Sequence, residues 1–523
     1  MNFSVCKAWM QKHPRWTIAA SSLLWAFCYP PFPLGWLSFI VLAPAFIATQ
    51  SLRPRQAFTA WFTGGMLYNL VMYWWIYNVI KVGPAFAIGG GLVLLILFLS
   101  LFNGLIGLAF RYSLRHPFLL ITFPIAWAGL EVARATGEMS FPWNDFGYAL
   151  GHNLHLIQIT SLFGVYGLSA LLIAANLFLF QAARSEKKKS WIVAWIISPL
   201  ILLAFGAISL KRDSNDLNNK APKIKISLIQ PAIPQTKKWS EEYFNEIMGK
   251  TLRTIAGLRN DFAPVAGSDL VVLAETAVPD FLRTRPEIID TFSNRAYNLN
   301  ASIVVGALDY VPDKKPWREY LFYNSAFLFH PKEAEHIDQY SKLRLVPFSE
   351  KLPFQGVFPI LNYVHLGEGD FSPGSDYSIW GDSIHYAPSI CYEIIYPSFA
   401  REAKKAGAQF LVNITNDGWF GKSNGPYEHA NIARFRSVET GLPVARCSNA
   451  GVSVFYDAWG RDLGHTALMD STVLQRNLPV PNRQTFYARF GAIIDGFFLA
   501  ALGLWILALI TVFVRAKVLH YSS

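Results

Sequence analysis

The sequence predicts two architectures in one chain: a multi-pass α-helical membrane domain of about eight spans, and an α/β domain set between the seventh span and the last. Three observations predict it. Of 523 residues, 52% are hydrophobic, 15% aromatic and only 15% charged, which is not the surface of a soluble enzyme. Apolar stretches of the length needed to cross a hydrocarbon core of about 30 Å fill the first 210 residues. From residue 223 the pattern changes to short β-branched runs that alternate with helix-compatible stretches.

Taken in order, the expected spans lie near 16–30, 34–51, 56–79, 85–110, 117–133, 157–182, 191–210 and 491–514. The first follows Lys7, Lys12 and Arg15 as a signal peptide would, but lacks a small-residue cleavage site, so it reads as a retained span. Cys28 is preceded by Trp25, Ala26 and Phe27 rather than by the small residue that lipoprotein processing wants, so it reads as a buried span-end cysteine. Basic residues sit in alternate connections: Arg53 and Arg55, Arg111 and Arg115, then Arg184, Lys187, Lys188 and Lys189, with Arg515 and Lys517 in the tail. The opposite connections carry only Lys81 and Arg134, so the positive-inside rule places the N-terminus in the cytoplasm and the long polar segment on the other side.

The formal charge of +11 invites a nucleic-acid reading. Topology explains it better, because the cations cluster between apolar runs. Cys6, Cys28, Cys391 and Cys447 form no CxxC pair, so the cysteines indicate neither a zinc site nor a disulfide framework, and no cofactor is expected. The connection near 134–156 is too polar to span yet carries Phe141, Pro142, Trp143, Phe146 and Tyr148. It reads either as an interfacial aromatic belt or as a ledge for an amphiphilic substrate.

The polar segment supplies strand candidates at 223–230, 269–276, 301–308, 323–330, 384–393, 408–417 and 443–456. Their continuous apolar character implies a sheet covered on both faces. Glu275, Cys391, Asn416 and Asp417 end such runs, where open α/β sheets place their sites and where a carboxylate or thiol packs badly. Alone, a strand-end cysteine is ordinarily a small core residue and Lys342 a solvated charge. Three contexts in one order change that reading: AETAVPD around Glu275, YSKLRLVPFSEKLPF around Lys342 and SICYEIIYP around Cys391.

These contexts resemble the Glu, Lys, Cys signature of the nitrilase superfamily. The resemblance implies an α-β-β-α sandwich over 222–485, and QPAIPQTKKW at 230–239 and NITNDGWFG at 413–421 add to it. The placement of this domain after many spans and before a final one resembles the superfamily's membrane-embedded branch, the apolipoprotein N-acyltransferases of the bacterial inner membrane. FPWNDFGYA at 141–149 resembles that family's membrane-side loop and favours the substrate-ledge reading. Ser349 and Ala274 depart from the expected Gly and Pro, and neither removes a reactive group.

The implied organisation is a membrane domain at 1–210, a linker at 211–221, a periplasmic catalytic domain at 222–485, and a last helix with a cytoplasmic tail at 486–523. The implied reaction moves a fatty acyl chain from a phospholipid, typically phosphatidylethanolamine, to the α-amino group of a lipoprotein's diacylglyceryl-modified N-terminal cysteine. By the same resemblance Cys391 is the nucleophile, Glu275 the general base and acid, and Lys342 the oxyanion stabiliser. Glu350, Tyr392 and Glu393 support them, Glu393 with a structural role as its alternative. Trp239, Asn324 and Trp143 are expected to bind substrate, and the backbone N–H of Tyr392 to join Lys342 at the oxyanion. The apolar stretch 352–371 reads as a lid or as an ordinary surface loop. Two rivals share parts of this pattern: a tethered amidase with water as acceptor, and a transporter with a binding domain. Seven spans are excessive for a tether, and ionisable groups within the spans are too sparse for a transporter.

Overall fold

The computed structural model describes residues 3–81, 85–212, 220–256, 265–315, 318–333, 335–363 and 370–521. Residues 213–219 of the expected linker and 364–369 of the expected lid lie outside the described residues.

Among the described residues, four helices are both long and apolar enough to cross a membrane: Ile88–Ser113, Thr160–Arg184, Lys188–Lys211 and Phe486–Val514. The stretch expected at 56–79 is the 20-residue helix Pro54–Tyr73 followed by a tighter 3-10 segment, Trp74–Lys81. Three other expected spans are shorter or interrupted. The first contains the 13-residue helix Pro14–Ala26, about 20 Å long at 1.5 Å per residue. The second is a 3-10 turn, Gly35–Phe39, and a seven-residue helix, Ala43–Thr49. The fifth divides into Pro117–Ile121 and Phe123–Arg134. Proline supplies the reason. Pro14, Pro44, Pro117 and Pro124 each stand in the first turn of a new helix, where a missing N–H costs nothing, and each would break a helix running through it.

Thr160–Arg184 sits centrally and is mostly buried, whereas Lys188–Lys211 and Phe486–Val514 turn most of their side chains outward. Ile192, Ile196, Leu200 and Ile201 are exposed on the first of these. An outward apolar face of that extent suits lipid. Cys28 is buried at the end of its helix, its thiol directed to the Leu24 carbonyl.

The polar half is an α-β-β-α sandwich. One sheet has the order β11-β1-β2-β3-β4-β5 and the other β10-β9-β8-β7-β6. The strands are β1 (Lys223–Gln230), β2 (Leu270–Leu273), β3 (Ser302–Lys315), β4 (Arg318–Phe329), β5 (Ile337–Ser341), β6 (Tyr386–Ile390), β7 (Phe410–Thr415), β8 (Val444–Ser448), β9 (Val454–Tyr456), β10 (Asp462–His465) and β11 (Thr472–Pro479). In the first sheet the central strands β1 to β3 are parallel and both edges antiparallel; in the second, β6 to β8 are parallel, with β6 at one edge, and β9 and β10 add antiparallel at the other. Strands β2, β6, β7 and β8 are buried at every position, as parallel strands covered on both faces must be. Cys447 on β8 lies between the sheets with its thiol 3.3 Å from the Ile229 carbonyl and 3.2 Å from that of Val272, so it is a core residue. Helices Glu241–Ala256 and Pro286–Leu299 cover the outside of the first sheet through Phe244, Met248, Phe292 and Ala296. Pro397–Lys405 and Gly425–Thr440 cover the second.

Helix Gly425–Thr440 is buried on almost every side because the membrane half packs against its far face. Its polar residues therefore need partners across that seam. Trp143 Nε1 donates to Glu428 Oε2 at 2.8 Å, Asn431 Nδ2 to the Tyr148 carbonyl at 3.0 Å, and Arg434 Nη1 to the Gly151 carbonyl at 2.7 Å. Arg436 donates to Tyr148 Oη at 2.8 Å and pairs with Glu439 at 3.0 Å. Gly164, at φ +67°, interrupts helix Thr160–Arg184 and frees the N–H of Val165 to reach Glu439 Oε1 at 2.8 Å. That backbone conformation favours glycine, and a Cβ there would strike the Tyr487 ring. The 141–149 stretch forms this seam, and Trp143 is 2% exposed, so it is not the open ledge the sequence suggested.

Replacing Arg436 with Met leaves Glu439 buried with a weakened set of partners. Loss of a buried ion-pair partner costs about 3–5 kcal/mol, so the variant is expected to unfold at clearly lower temperature in detergent by intrinsic tryptophan fluorescence, while Arg253→Met on the outer helix does not.

Candidate active site

Strand β2 runs straight into Glu275, and the turn that follows carries Thr276 at φ +47°. Gly306 of β3 lies against this turn, where a Cβ would come within 2.5–2.8 Å of backbone atoms of residues 274–276. Glycine thereby lets the carboxylate-bearing turn press against its neighbouring strand. The Glu275 carbonyl accepts from Lys238 Nζ at 3.0 Å and from Thr276 Oγ1 at 2.8 Å.

Lys342 follows β5 directly and is 1% exposed. Its Nζ donates to Glu350 Oε1 at 2.8 Å and lies 3.6 Å from Glu275 Oε1. Burial alone would lower the Lys342 pKa, but the Glu350 and Glu275 carboxylates outweigh it and hold the group above its ordinary value, as an ammonium. Glu350 is fixed in turn by the N–H of Val346 at 2.9 Å. Asn324 on β4 bridges the two acids, its Nδ2 donating to Glu275 Oε1 at 2.8 Å and more weakly to Glu350 Oε1 at 3.3 Å. Both hydrogens of Asn324 Nδ2 are thereby engaged by the two carboxylates. Its buried Oδ1 has no hydrogen-bond partner among the described residues.

Cys391 stands at the junction of β6 and the short helix Cys391–Ile395, with φ +49°. A left-handed non-glycine residue at a strand end is strained by about 1–3 kcal/mol and needs to be held. Two devices hold it. Glu393 accepts at Oε2 from the Ile390 N–H at 2.7 Å, and at Oε1 from the Leu343 N–H at 2.6 Å, the Tyr340 hydroxyl at 2.7 Å and the Arg344 N–H at 3.2 Å. It thus clamps the residue before Cys391 to the residue after Lys342, and burial pushes its pKa up to about 7 against the pull of these donors. Behind the peptide, His429 Nε2 lies 3.2 Å from the Cys391 carbonyl, and Nδ1 lies 2.9 Å from Asp417 Oδ1. Asp417 also pairs with Arg446 at 2.5 Å and accepts from Thr415. Burial disfavours charge on Asp417, but Arg446 and His429 overcome it and hold the carboxyl below its usual range.

The thiol of Cys391 feels both the Glu275 carboxylate and the Lys342 ammonium. Burial and Glu275 push its pKa up, and Lys342 only partly offsets them. At neutral pH the resting group is a thiol that needs a base at the moment of reaction.

The Tyr392 side chain points to the seam, its hydroxyl donating to the Ser140 carbonyl at 2.8 Å, so it anchors the cysteine loop to the membrane half. Trp143 lies behind the site, 5.0 Å from the His429 ring between centroids. Trp239 is 42% exposed at the end of the short helix Gln235–Lys238. Lys238, His429 and Arg446 escaped the sequence reading. Lys238 precedes Trp239 within an already noticed motif, while His429 and Arg446 sit inside elements that give no strand-end signal.

A shielded, base-dependent thiol makes a measurable demand. Alkylation of Cys391 by iodoacetamide, followed by mass spectrometry against pH, is expected to have its midpoint above that of free cysteine. Lys342→Met removes the one favourable charge and is expected to move the midpoint higher still.

Both halves of the chain match family models. Residues 21–178 match the apolipoprotein N-acyltransferase N-terminal domain, and residues 225–486 match carbon-nitrogen hydrolase. An apolipoprotein N-acyltransferase from Geobacter metallireducens is 33% identical over 479 residues, covering 90% of this chain and 90% of the relative. One from Chlorobaculum tepidum is 30% identical over 506 residues, covering 89% of this chain and 91% of the relative. Among solved structures, a carbon-nitrogen hydrolase from Helicobacter pylori aligns with a TM-score of 0.36 and 16% identity, over 49% of this chain and 89% of that one. With relatives of this identity running from end to end, the chain belongs to the apolipoprotein N-acyltransferase family.

Proposed function

We propose that this membrane protein transfers a fatty acyl chain from a phospholipid, through a thioester on Cys391, to the α-amino group of the diacylglyceryl-cysteine at a lipoprotein's N-terminus. The observation that carries the reading is the joint setting of the Cys391 thiol, the Glu275 carboxylate and the buried Lys342 ammonium, each within electrostatic reach of the others. Family membership supports the lipid donor and the lipoprotein acceptor.

In this mechanism Glu275 takes the thiol proton as sulfur attacks the ester carbonyl carbon. Lys342 holds the tetrahedral oxyanion, a contribution of about 3 kcal/mol for one such donor. The C–O bond to the lysophospholipid then breaks, and Glu275 returns the proton to the departing oxygen. In the second half the lipoprotein amine attacks the thioester, Glu275 accepts the amine proton, and the thiolate leaves and is reprotonated. Glu350 and Asn324 keep Lys342 and Glu275 aligned, and what Asn324 leaves for a substrate is a buried acceptor, Oδ1, unpartnered among the described residues.

The lid reading has support in the described part of the loop. Phe354, Val357, Phe358 and Ile360 are exposed, and the Phe354 N–H is held by Glu138 of the 134–156 connection at 2.6 Å. Apolar side chains at the mouth of a thioester site exclude water and meet acyl chains. The positive-inside pattern supports a catalytic domain, 222–485, on the side away from the cytoplasm, and family membership supports the bacterial inner membrane, a periplasmic site and phosphatidylethanolamine as donor.

Incubating the purified protein with acyl-labelled phosphatidylethanolamine is expected to give protein-bound label that neutral hydroxylamine removes. Cys391→Ser is expected to give none that hydroxylamine removes, and added diacylated lipopeptide to collect the label from wild type. Release as free acid in place of lipopeptide product would point to hydrolysis instead. His429→Ala is expected to lower kcat by about 10- to 100-fold with KM for the lipopeptide little changed, because it displaces the nucleophile's peptide and leaves substrate contacts alone.

A further inference from the structure

Strands β4 and β5 form an antiparallel hairpin in which Phe329 faces Ile337 and Leu328 faces Asp338. His330 follows the last residue of β4 and His336 precedes the first of β5, so they form the next cross-strand pair toward the turn. Asp338 is two residues beyond His336, on the same face of its strand and diagonal to His330. Three metal-ligating side chains are thereby brought to one face of one hairpin end by register alone.

Their geometry is compact. His330 Nε2 lies 2.9 Å from Asp338 Oδ2, and His336 Nε2 lies 3.3 Å from Asp338 Oδ1. One ligand atom from each residue fits within a mutual separation of 4.8 Å, and the two imidazole rings are 5.3 Å apart. Tetrahedral zinc, with bonds of about 2.0–2.2 Å, sets its ligand atoms about 3.3–3.5 Å apart, so small side-chain adjustments suffice. The donor set is two imidazoles and one carboxylate. Imidazole suits Zn²⁺, Cu²⁺ and Ni²⁺, whereas Ca²⁺ and Mg²⁺ want oxygen throughout. His330 and Asp338 are partly buried and His336 is exposed, so a solvated ion has access from one side.

We propose that His330, His336 and Asp338 form a surface site for a divalent transition-metal ion of the zinc class, with water completing the coordination. The ligands come from both sides of the turn, so the ion staples the turn end of the hairpin. Along the same two strands lie Asn324, on β4, and Lys342, directly after β5. The site is separate from the thiol chemistry and does not depend on the acyl-transfer reading.

The test uses the purified full-length protein with its affinity tag removed, titrated with ZnCl₂ by isothermal calorimetry and checked for bound zinc after dialysis. One equivalent of Zn²⁺ is expected, not displaced by excess Ca²⁺, together with a rise in melting temperature on adding zinc. His336→Ala and Asp338→Ala are each expected to weaken binding by roughly tenfold or more and to abolish the rise. His336 is exposed, so an unchanged melting temperature without zinc will verify that its variant folds. Absence of stoichiometric binding, equal binding by both variants, or displacement by Ca²⁺ would each overturn the assignment.

Discussion

Burying the ammonium of Lys342 is the constraint around which the polar half is arranged. A lysine removed from water costs several kcal/mol unless charge and hydrogen bonds replace its hydration. Glu350 and Glu275 supply the charge, and their own remaining lone pairs are then met by Asn324 and the Val346 N–H. Those partners come from three places: the end of β2, the middle of β4, and the loop after β5. The antiparallel edge of the first sheet is thus held to its parallel centre by one cation. Gly306 belongs to the same arrangement, since any side chain there would push Glu275 away from the group it neutralises.

The cysteine loop is coupled to this cluster and to the membrane half at once. Glu393 ties Ile390 to Leu343, so the peptide before the thiol and the peptide after the lysine share one carboxylate. His429 meets the Cys391 carbonyl from the other side, and its ring lies against Trp143. Helix Gly425–Thr440 lies between the second sheet and the membrane half, which explains why Glu428, Arg436 and Glu439 are each at most 2% exposed yet partnered.

Sequence made the reactive groups legible because each ends an apolar run in which it has no packing reason to be. Glu275, Cys391 and Asp417 were found that way, and Lys342 through its neighbours in a motif. His429 and Arg446 were missed because a buried helix and a central strand give no such contrast. Helix Gly425–Thr440 has no polar face against which a buried histidine would stand out. Among the strands, β1 was readable to the residue, but β5, with the sequence IDQYS, is an edge strand with too little apolar content to show. Hydropathy averages over prolines: composition reports what can enter a bilayer, while Pro44, Pro117 and Pro124 decide whether a stretch is one helix or two. Trp143 was placed near substrate through the resemblance of FPWNDFGYA to a membrane-side loop, and its contacts with Glu428 and the His429 ring, which pack it into the seam, are not written in that motif.

The freed N–H of Val165 has a wider meaning. A transmembrane helix ordinarily satisfies its backbone internally, and this one breaks at Gly164 so that its continuation can bond to a carboxylate of the other half. The two halves therefore share a backbone hydrogen bond in addition to surface contacts, and neither is a finished unit alone. Tilting of the helix in a thicker or thinner bilayer has a mechanical route, through Glu439 and the helix that bears it, to the peptide holding the thiol. The lipid that feeds such a protein is also the medium that sets its working geometry.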